Sequence, residues 1–207
     1  MVREQIANSR HGVVGERVLA AMERVPRHEF VPEELIDRAH DDRPLPIGYD
    51  QTISQPFIVG FMTEQLELKP ADRILEIGTG SGYQAAVLAE LVAEVYSLEI
   101  VDALAHRAES ALKRLGYTNV HVRLGDGHHG WPVAAPFDAI IVTCAPDRVP
   151  QSLVAQLKDG GRMIIPVGEG DIQNLVLLIK QNNRLEQQNV LAVRFVPMTG
   201  GVIKSED

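Results

Sequence analysis

Glu76, Glu99 and Asp126 are the acids whose neighbours in the chain could do chemistry. Glu76 belongs to an apolar run, Arg73-Ile74-Leu75-Glu76-Ile77, that leads into Gly78-Thr79-Gly80-Ser81-Gly82. Glycine at a strand-to-helix turn permits positive φ and lets a ligand touch the backbone, with the first N–H groups of the next helix turned toward it. The spacing is G-x-G-x-G rather than the G-x-G-x-x-G of dinucleotide sites. A carboxylate just before such a turn suits a ligand with a cationic amino-acid end better than one bearing a pyrophosphate. Glu99 closes a second strand-like run 21 residues beyond Gly78, where an acid can accept two hydrogen bonds from ribose hydroxyls. Asp126 stands between Gly125 and Gly127, a triplet that would otherwise be an ordinary turn.

Other reactive residue types carry less. Ser54 lies in Gln51-Thr52-Ile53-Ser54-Gln55-Pro56, just ahead of a helical pattern, so its hydroxyl can be read either as functional or as a helix cap before Pro56 at the first helical position. His128-His129 joins no His, Cys or carboxylate cluster at metal-site spacing, and no metal is expected. Cys144 follows a strand end without an assignable base and reads as a small buried hydrophobe, while Trp131 reads as packing.

These residues need a scaffold. A chain of 207 residues with 45% hydrophobic content forms one α/β domain with a substantial core. No apolar run approaches the roughly 20 residues that span a bilayer. The single cysteine and the absence of an apolar leader pattern at Met1-Val2-Arg3 suggest a cytoplasmic address. A net charge of −8 without a basic patch argues against nucleic acid and acidic membranes as partners. Residues 1–39 look helical, with Val18, Leu19, Met22 and Val25 in register before Pro26 and a short helix after Pro32. Val25-Pro26-Arg27-His28-Glu29-Phe30-Val31-Pro32 reads as a fixed structural connection packed on the core. Residues 40–52 read as an irregular surface loop. A helix follows Pro56. Strands are expected at 73–77, 94–99, 120–124, 137–143 and 162–167, helices at 84–91, 101–115 and 149–158, and a hairpin from Asn174 to Val196 turning at Asn182-Asn183.

E-x-G-x-G-x-G resembles the S-adenosylmethionine motif of class I methyltransferases, and five βα-type units followed by a hairpin match their strand inventory. Thr52-Ile53-Ser54-Gln55-Pro56 ahead of that motif looks like the corresponding stretch of protein-L-isoaspartate O-methyltransferases. Further matches are Arg17-Val18-Leu19-Ala20-Ala21-Met22 with Val25 to Pro32, Gly125-Asp126-Gly127, Ala135 to Ile140 with Val142-Thr143, and Arg194-Phe195-Val196-Pro197-Met198. The resemblance implies a Rossmann-like, mostly parallel twisted sheet with helices on both faces, a C-terminal antiparallel hairpin and an N-terminal helical extension. It implies one methyltransferase domain over 1–207, with the extension and acceptor loop in 1–56, the cofactor core in 57–167 and the hairpin and tail in 168–207.

The implied activity is methyl transfer from S-adenosylmethionine to the α-carboxylate of L-isoaspartyl residues in damaged proteins and peptides, the ester then collapsing to a succinimide. The implied cofactor residues are Thr52, Ile53, Glu76, Gly78, Thr79, Gly80, Gly82, Glu99, Asp126, Gly127 and Thr199, with Asp126 toward the adenine amine. Ser54 would contact the acceptor carboxylate as the catalytic residue, and Val196 backbone would help hold the peptide. Some members carry a histidine five residues after the serine; this chain has Val59 there, and no role transfers. A monomer is expected. A carboxylate acceptor is already ionised and a sulfonium is an activated donor, so the reaction needs positioning rather than a general base. A small-molecule methyltransferase, a nicotinamide oxidoreductase and a regulatory cofactor-binding module remain as other readings of the glycine turn.

Overall fold

A computed structural model of the chain describes residues 1–7, 15–182 and 184–201. Its frame is a seven-stranded sheet built from β3 (Arg73–Ile77), β4 (Glu94–Glu99), β5 (Val120–Leu124), β6 (Phe137–Val142), β7 (Leu157–Val167), β8 (Gln173–Gln181) and β9 (Arg184–Val193) in the order β5-β4-β3-β6-β7-β8-β9. The first five are mutually parallel, β8 adds antiparallel to β7, and β9 adds antiparallel to β8. The order reverses at β3, which has β4 on one side and β6 on the other, and ligands of open α/β sheets bind outside the carboxyl ends at such a switch point.

Alternation along the strands explains why both faces are covered. Ile74, Val95, Ala139, Ile141 and Ile164 face one core, which receives α1 (Glu16–Arg24), α2 (Pro56–Gln65), α3 (Tyr83–Ala89) and α4 (Asp102–Arg114). Leu75, Ile77, Ile140, Val142, Met163 and Ile165 face a second core, where α5 (Gln151–Gln156) packs through Leu153. Burial on both faces is what near-continuous apolar runs in parallel strands require.

The N-terminal segment follows its expected punctuation, α1 ending before Pro26 and a short helix following Pro32, although that helix, Glu33–Arg38, and the turn at Arg27–Phe30 are 3₁₀; residues 8–14 of the expected helical stretch lie outside the described residues. Pro26 and Pro32, each at the start of a turn, interrupt the backbone pattern that a longer helix needs. Two expected elements differ. Residues 40–52 hold a small antiparallel hairpin, β1 (Leu45–Gly48) and β2 (Gln51–Ile53), not an irregular loop. Its tip runs through positive φ at Gly48, Tyr49 and Asp50, and Leu45 and Ile47 point inward from an otherwise polar stretch. Finally, α5 ends at Gln156 and β7 begins at Leu157, ahead of Gly160-Gly161, because Leu157 already pairs with Phe137 in β6. The C-terminal hairpin, α4 ending before Gly116 and the helix at Pro56 form as expected; Asn183 lies outside the described residues.

Candidate active site

The carboxyl ends of β3, β4 and β6 open into one cavity of about 780 Å³ including its mouth, within the ~300–1,000 Å³ of small-molecule sites. The glycine turn forms its floor. Gly78, Gly80 and Gly82 have φ of 95°, 54° and 90°, conformations that other residues rarely adopt. Close approach adds a second reason at Gly78, where a Cβ would lie 2.5 Å from Thr143 Oγ1. Ile47 from the β1–β2 hairpin packs near Gly80, and Arg107 of α4 donates to the Ile47 carbonyl at 2.6 Å, so the hairpin is tied down beside the turn.

Backbone amides of this turn are consumed by the protein. Gly78 and Thr79 both donate to the Leu98 carbonyl, at 2.8 and 3.2 Å, and Gly80 donates to Glu99 Oε2 at 2.7 Å. A pyrophosphate would need these amides free, so the dinucleotide reading loses its anion nest. Among the described residues lining the cavity, Glu99 carries the only formal charge. Its Oε1 accepts from Ile100 and Val101 N–H, both at 2.9 Å, which fixes the carboxylate on the wall with lone-pair capacity to spare. One anionic group, no lining cation and glycines that admit a flat ligand suit a sulfonium nucleoside, and in that respect S-adenosylmethionine fits.

Glu76 does not reach the wall as expected. It lies one residue behind, fully buried between Ser97 of β4 and Ile141 of β6. Burial pushes its carboxyl up to about 8, a bond from Ser97 opposes this, and the Glu99 charge adds to it. Ser97 Oγ donates to Glu76 Oε2, Thr79 Oγ1 and Ser97 Oγ are 2.6 Å apart, and Glu76 Oε1 is unpartnered. Glu76 therefore supports the turn from below through Ser97 and Thr79, and the acid facing the cavity is Glu99.

Asp126 is also committed elsewhere. Its Oδ1 accepts from His128 N–H at 2.9 Å and its Oδ2 from Gly201 N–H at 2.7 Å. Burial raises this carboxyl, but those bonds and His128 outweigh it and hold it below the usual carboxylate range. Gly125 and Gly127 line the cavity where Asp126 does not; a Cβ on Gly127 would fall 2.3 Å from Ile77 Cγ2.

Thr52, Ile53, Ser54, Thr79, Val196 and Thr199 all reach the cavity. Ser54 does not cap α2. The cap is Asp42, whose Oδ1 accepts from Phe57 N–H at 2.8 Å while its Oδ2 accepts from Gln55 Nε2 at 3.1 Å. The Ser54 hydroxyl makes no hydrogen bond to another described residue and is left available at the wall. The Val196 carbonyl, by contrast, accepts from Ala145 N–H at 2.8 Å, which joins the segment after β9 to the end of β6. The end of the strand expected at 137–143, Thr143, reaches the cavity, whereas Tyr83, Gln84 and Cys144 line it without having been expected there. Cys144 was legible as the continuation of the most apolar strand, whereas nothing local marks Tyr83 or Gln84. Burial pushes the Cys144 thiol up to about 12, with the Glu99 charge adding to it, so it stays protonated. Among the described residues no His, Cys, Asp and Glu group is arranged to hold a metal, and no helix is long and apolar enough to cross a membrane.

The family model described as Protein-L-isoaspartate(D-aspartate) O-methyltransferase matches residues 3–203. A protein-L-isoaspartate O-methyltransferase of Opitutus terrae is 56% identical over 200 residues, covering 96% of this chain and 85% of that one. One from Gloeobacter violaceus is 55% identical, covering 96% and 97%. Among solved structures, a protein-L-isoaspartate O-methyltransferase superposes with a TM-score of 0.84 at 32% identity; 90% of this chain is covered, and the match spans 62% of the solved one. A candidate enzyme of the same name from Plasmodium falciparum, in complex with S-adenosyl-L-homocysteine, gives 0.81 at 26% identity, covering 92% and 94%.

Proposed function

Since this chain belongs to the protein-L-isoaspartate O-methyltransferase family and takes S-adenosylmethionine as methyl donor, we propose that it esterifies the α-carboxylate of L-isoaspartyl residues in proteins and peptides with Ser54 orienting that carboxylate. The observation that carries the role is the Ser54 hydroxyl, on the cavity wall and released from capping by Asp42. The bound donor supplies an activated methyl group on a sulfonium. Glu99 holds the nucleoside end through its fixed carboxylate, while Gly78, Thr79, Gly80 and Gly127 give the close backbone approach; Gly82, expected at the cofactor, is not on the wall and instead turns the chain into α3 against Ala108 and Leu112. Thr52, Ile53 and Thr199 complete the wall. Glu76 serves from behind the turn, and Asp126 shapes the adenine side by fixing the Gly125–Gly127 loop. The chain acts as one domain, in which the described residues of 1–56 form the acceptor side, 57–167 hold the donor and the described residues of 168–207 close the rim near Val196.

No base is required, because the acceptor is ionised before it enters. Charge is neutralised as the methyl moves, so a cation clamped directly on the acceptor would stabilise the ground state more than the transition state. A neutral hydroxyl avoids that cost and still fixes direction. Isomerisation places the carboxylate on a short branch of a lengthened main chain, and displacing it by about 1 Å can lower the rate on the order of 100-fold. A matched pair of isoaspartyl and aspartyl peptides tests the assignment: only the first is expected to give an ester that releases methanol in mild alkali. Alkali-stable methylation, or equal rates on both peptides, would overturn it. Ser54→Ala is expected to lower turnover at unchanged S-adenosylhomocysteine affinity and unchanged melting temperature.

A further inference from the structure

Arg27 is an arginine with no exposed surface, carried into the core by a 3₁₀ turn. Burying a guanidinium is costly, and an apolar side chain of like length would pack there more cheaply. Its bonds show what it holds. Nε donates to the Ala39 carbonyl at 2.8 Å and Nη2 donates to the Ser54 carbonyl at 2.9 Å, so one planar fork joins the end of the N-terminal segment to the acceptor loop. The guanidinium carbon sits 4.7 Å from the centre of the Tyr83 ring, and Tyr83 lines the cavity at the first residue of α3. Arg27 Nη1 and the Tyr83 hydroxyl are buried without partners. Burial lowers Arg27 to about 10, with Tyr83 and Asp42 opposing, and it remains charged at neutral pH.

We infer that Arg27 is a positioning residue for the acceptor carboxylate, acting through the backbone of Ser54. The Ser54 carbonyl is fixed by Arg27 on one side, and on the other Asp42 holds Gln55 and Phe57. The peptide planes that aim Ser54 Oγ are thus set by two residues brought in from the extension. The ring of Tyr83 gives the fork a flat support that also touches the donor cavity, so acceptor loop and donor site share one rigid junction. Charge alone does not suffice: an ammonium lacks the planar fork that bonds two carbonyls while stacked on a ring. The inference rests on the acceptor role assigned to Ser54.

Arg27→Lys tests it. In the folded variant kcat on an isoaspartyl peptide is expected to fall about 10- to 100-fold, as for a misplaced reactant, while S-adenosylhomocysteine binding, measured by calorimetry, changes less than about threefold. A kcat within about twofold of wild type would overturn the inference, as would a loss of S-adenosylhomocysteine affinity by the same factor as kcat. Should Arg27→Lys fail to fold, wild-type protein labelled with ¹⁵N-arginine decides. With S-adenosylhomocysteine bound, the buried Arg27 guanidinium resonance is expected to shift on adding the isoaspartyl peptide and not the aspartyl one; no shift would overturn the inference. Failure of the wild type to methylate the isoaspartyl peptide sinks the acceptor reading itself, and is seen before any variant is made.

Discussion

Replacing Glu76 by glutamine should make the protein less sensitive to alkali. The side chain is fully buried, with Ser97 on one oxygen and nothing on the other, and its carboxyl is pushed from 4.5 up to about 8. Between those values the folded chain keeps a proton that the unfolded chain releases, so stability falls as pH rises through this window. The contribution is fully present below about 4.5 and lost by the time pH passes 8. From pH 5 to pH 7 the loss is roughly 2.5 kcal/mol, at about 1.4 kcal/mol per pH unit. Glutamine keeps the shape and an acceptor for Ser97 but cannot ionise. Its amide leaves a buried N–H₂ where Oε1 was unpartnered, so the absolute offset between the proteins is uninformative and the slope is the observable. Urea unfolding of both proteins at several pH values gives the difference profile, in which all other titrating groups cancel. The variant is expected to gain roughly 2.5 kcal/mol on wild type between pH 5 and 7, equivalent to about 5–10 °C in melting temperature at this chain length. Parallel profiles for the two proteins would refute the argument, since they would mean that Glu76 is ionised or hydrated in the folded state.

Two further outcomes follow from the bonds around the site. Asp42→Ala removes the acceptor for Phe57 N–H and should cost about 1 kcal/mol of stability, read from urea unfolding, whereas Ser54→Ala should cost almost none; equal losses would return the capping role to Ser54. Glu99→Ala should weaken S-adenosylhomocysteine binding by about 1.5–3 kcal/mol, the range for bonds to a charged group, in calorimetry on the folded variant. It should also lower stability, because Gly80, Ile100 and Val101 lose their acceptor.

The sequence by itself determined the features that depend on neighbours along the chain. Apolar runs broken by glycine located β3 and its turn at Gly78, Gly80 and Gly82, and their positive φ follows from that placement. Alternation and the Asn182 turn gave the C-terminal hairpin, and Pro56 gave the start of α2. The acid at the end of β4 was legible for the same reason, and Glu99 does stand on the cavity wall. Tertiary structure decided whatever depends on residues far apart in the chain. Glu76 is neutral rather than anionic because β4 and β6 enclose it, which no local pattern reports. The cap of α2 comes from Asp42, 15 residues from the amide it serves, and so the same Ser-x-Pro string that suggested a capping serine leaves Ser54 free. Asp126 is bound by Gly201 from across the fold, 75 residues away. Arg27 sits in a stretch that read as a mere connection, yet its fork closes on Ser54 because burial leaves a guanidinium only carbonyls and a ring to satisfy it. Periodicity and turn chemistry encode elements; hydrogen-bond partners and desolvation arise only once those elements meet.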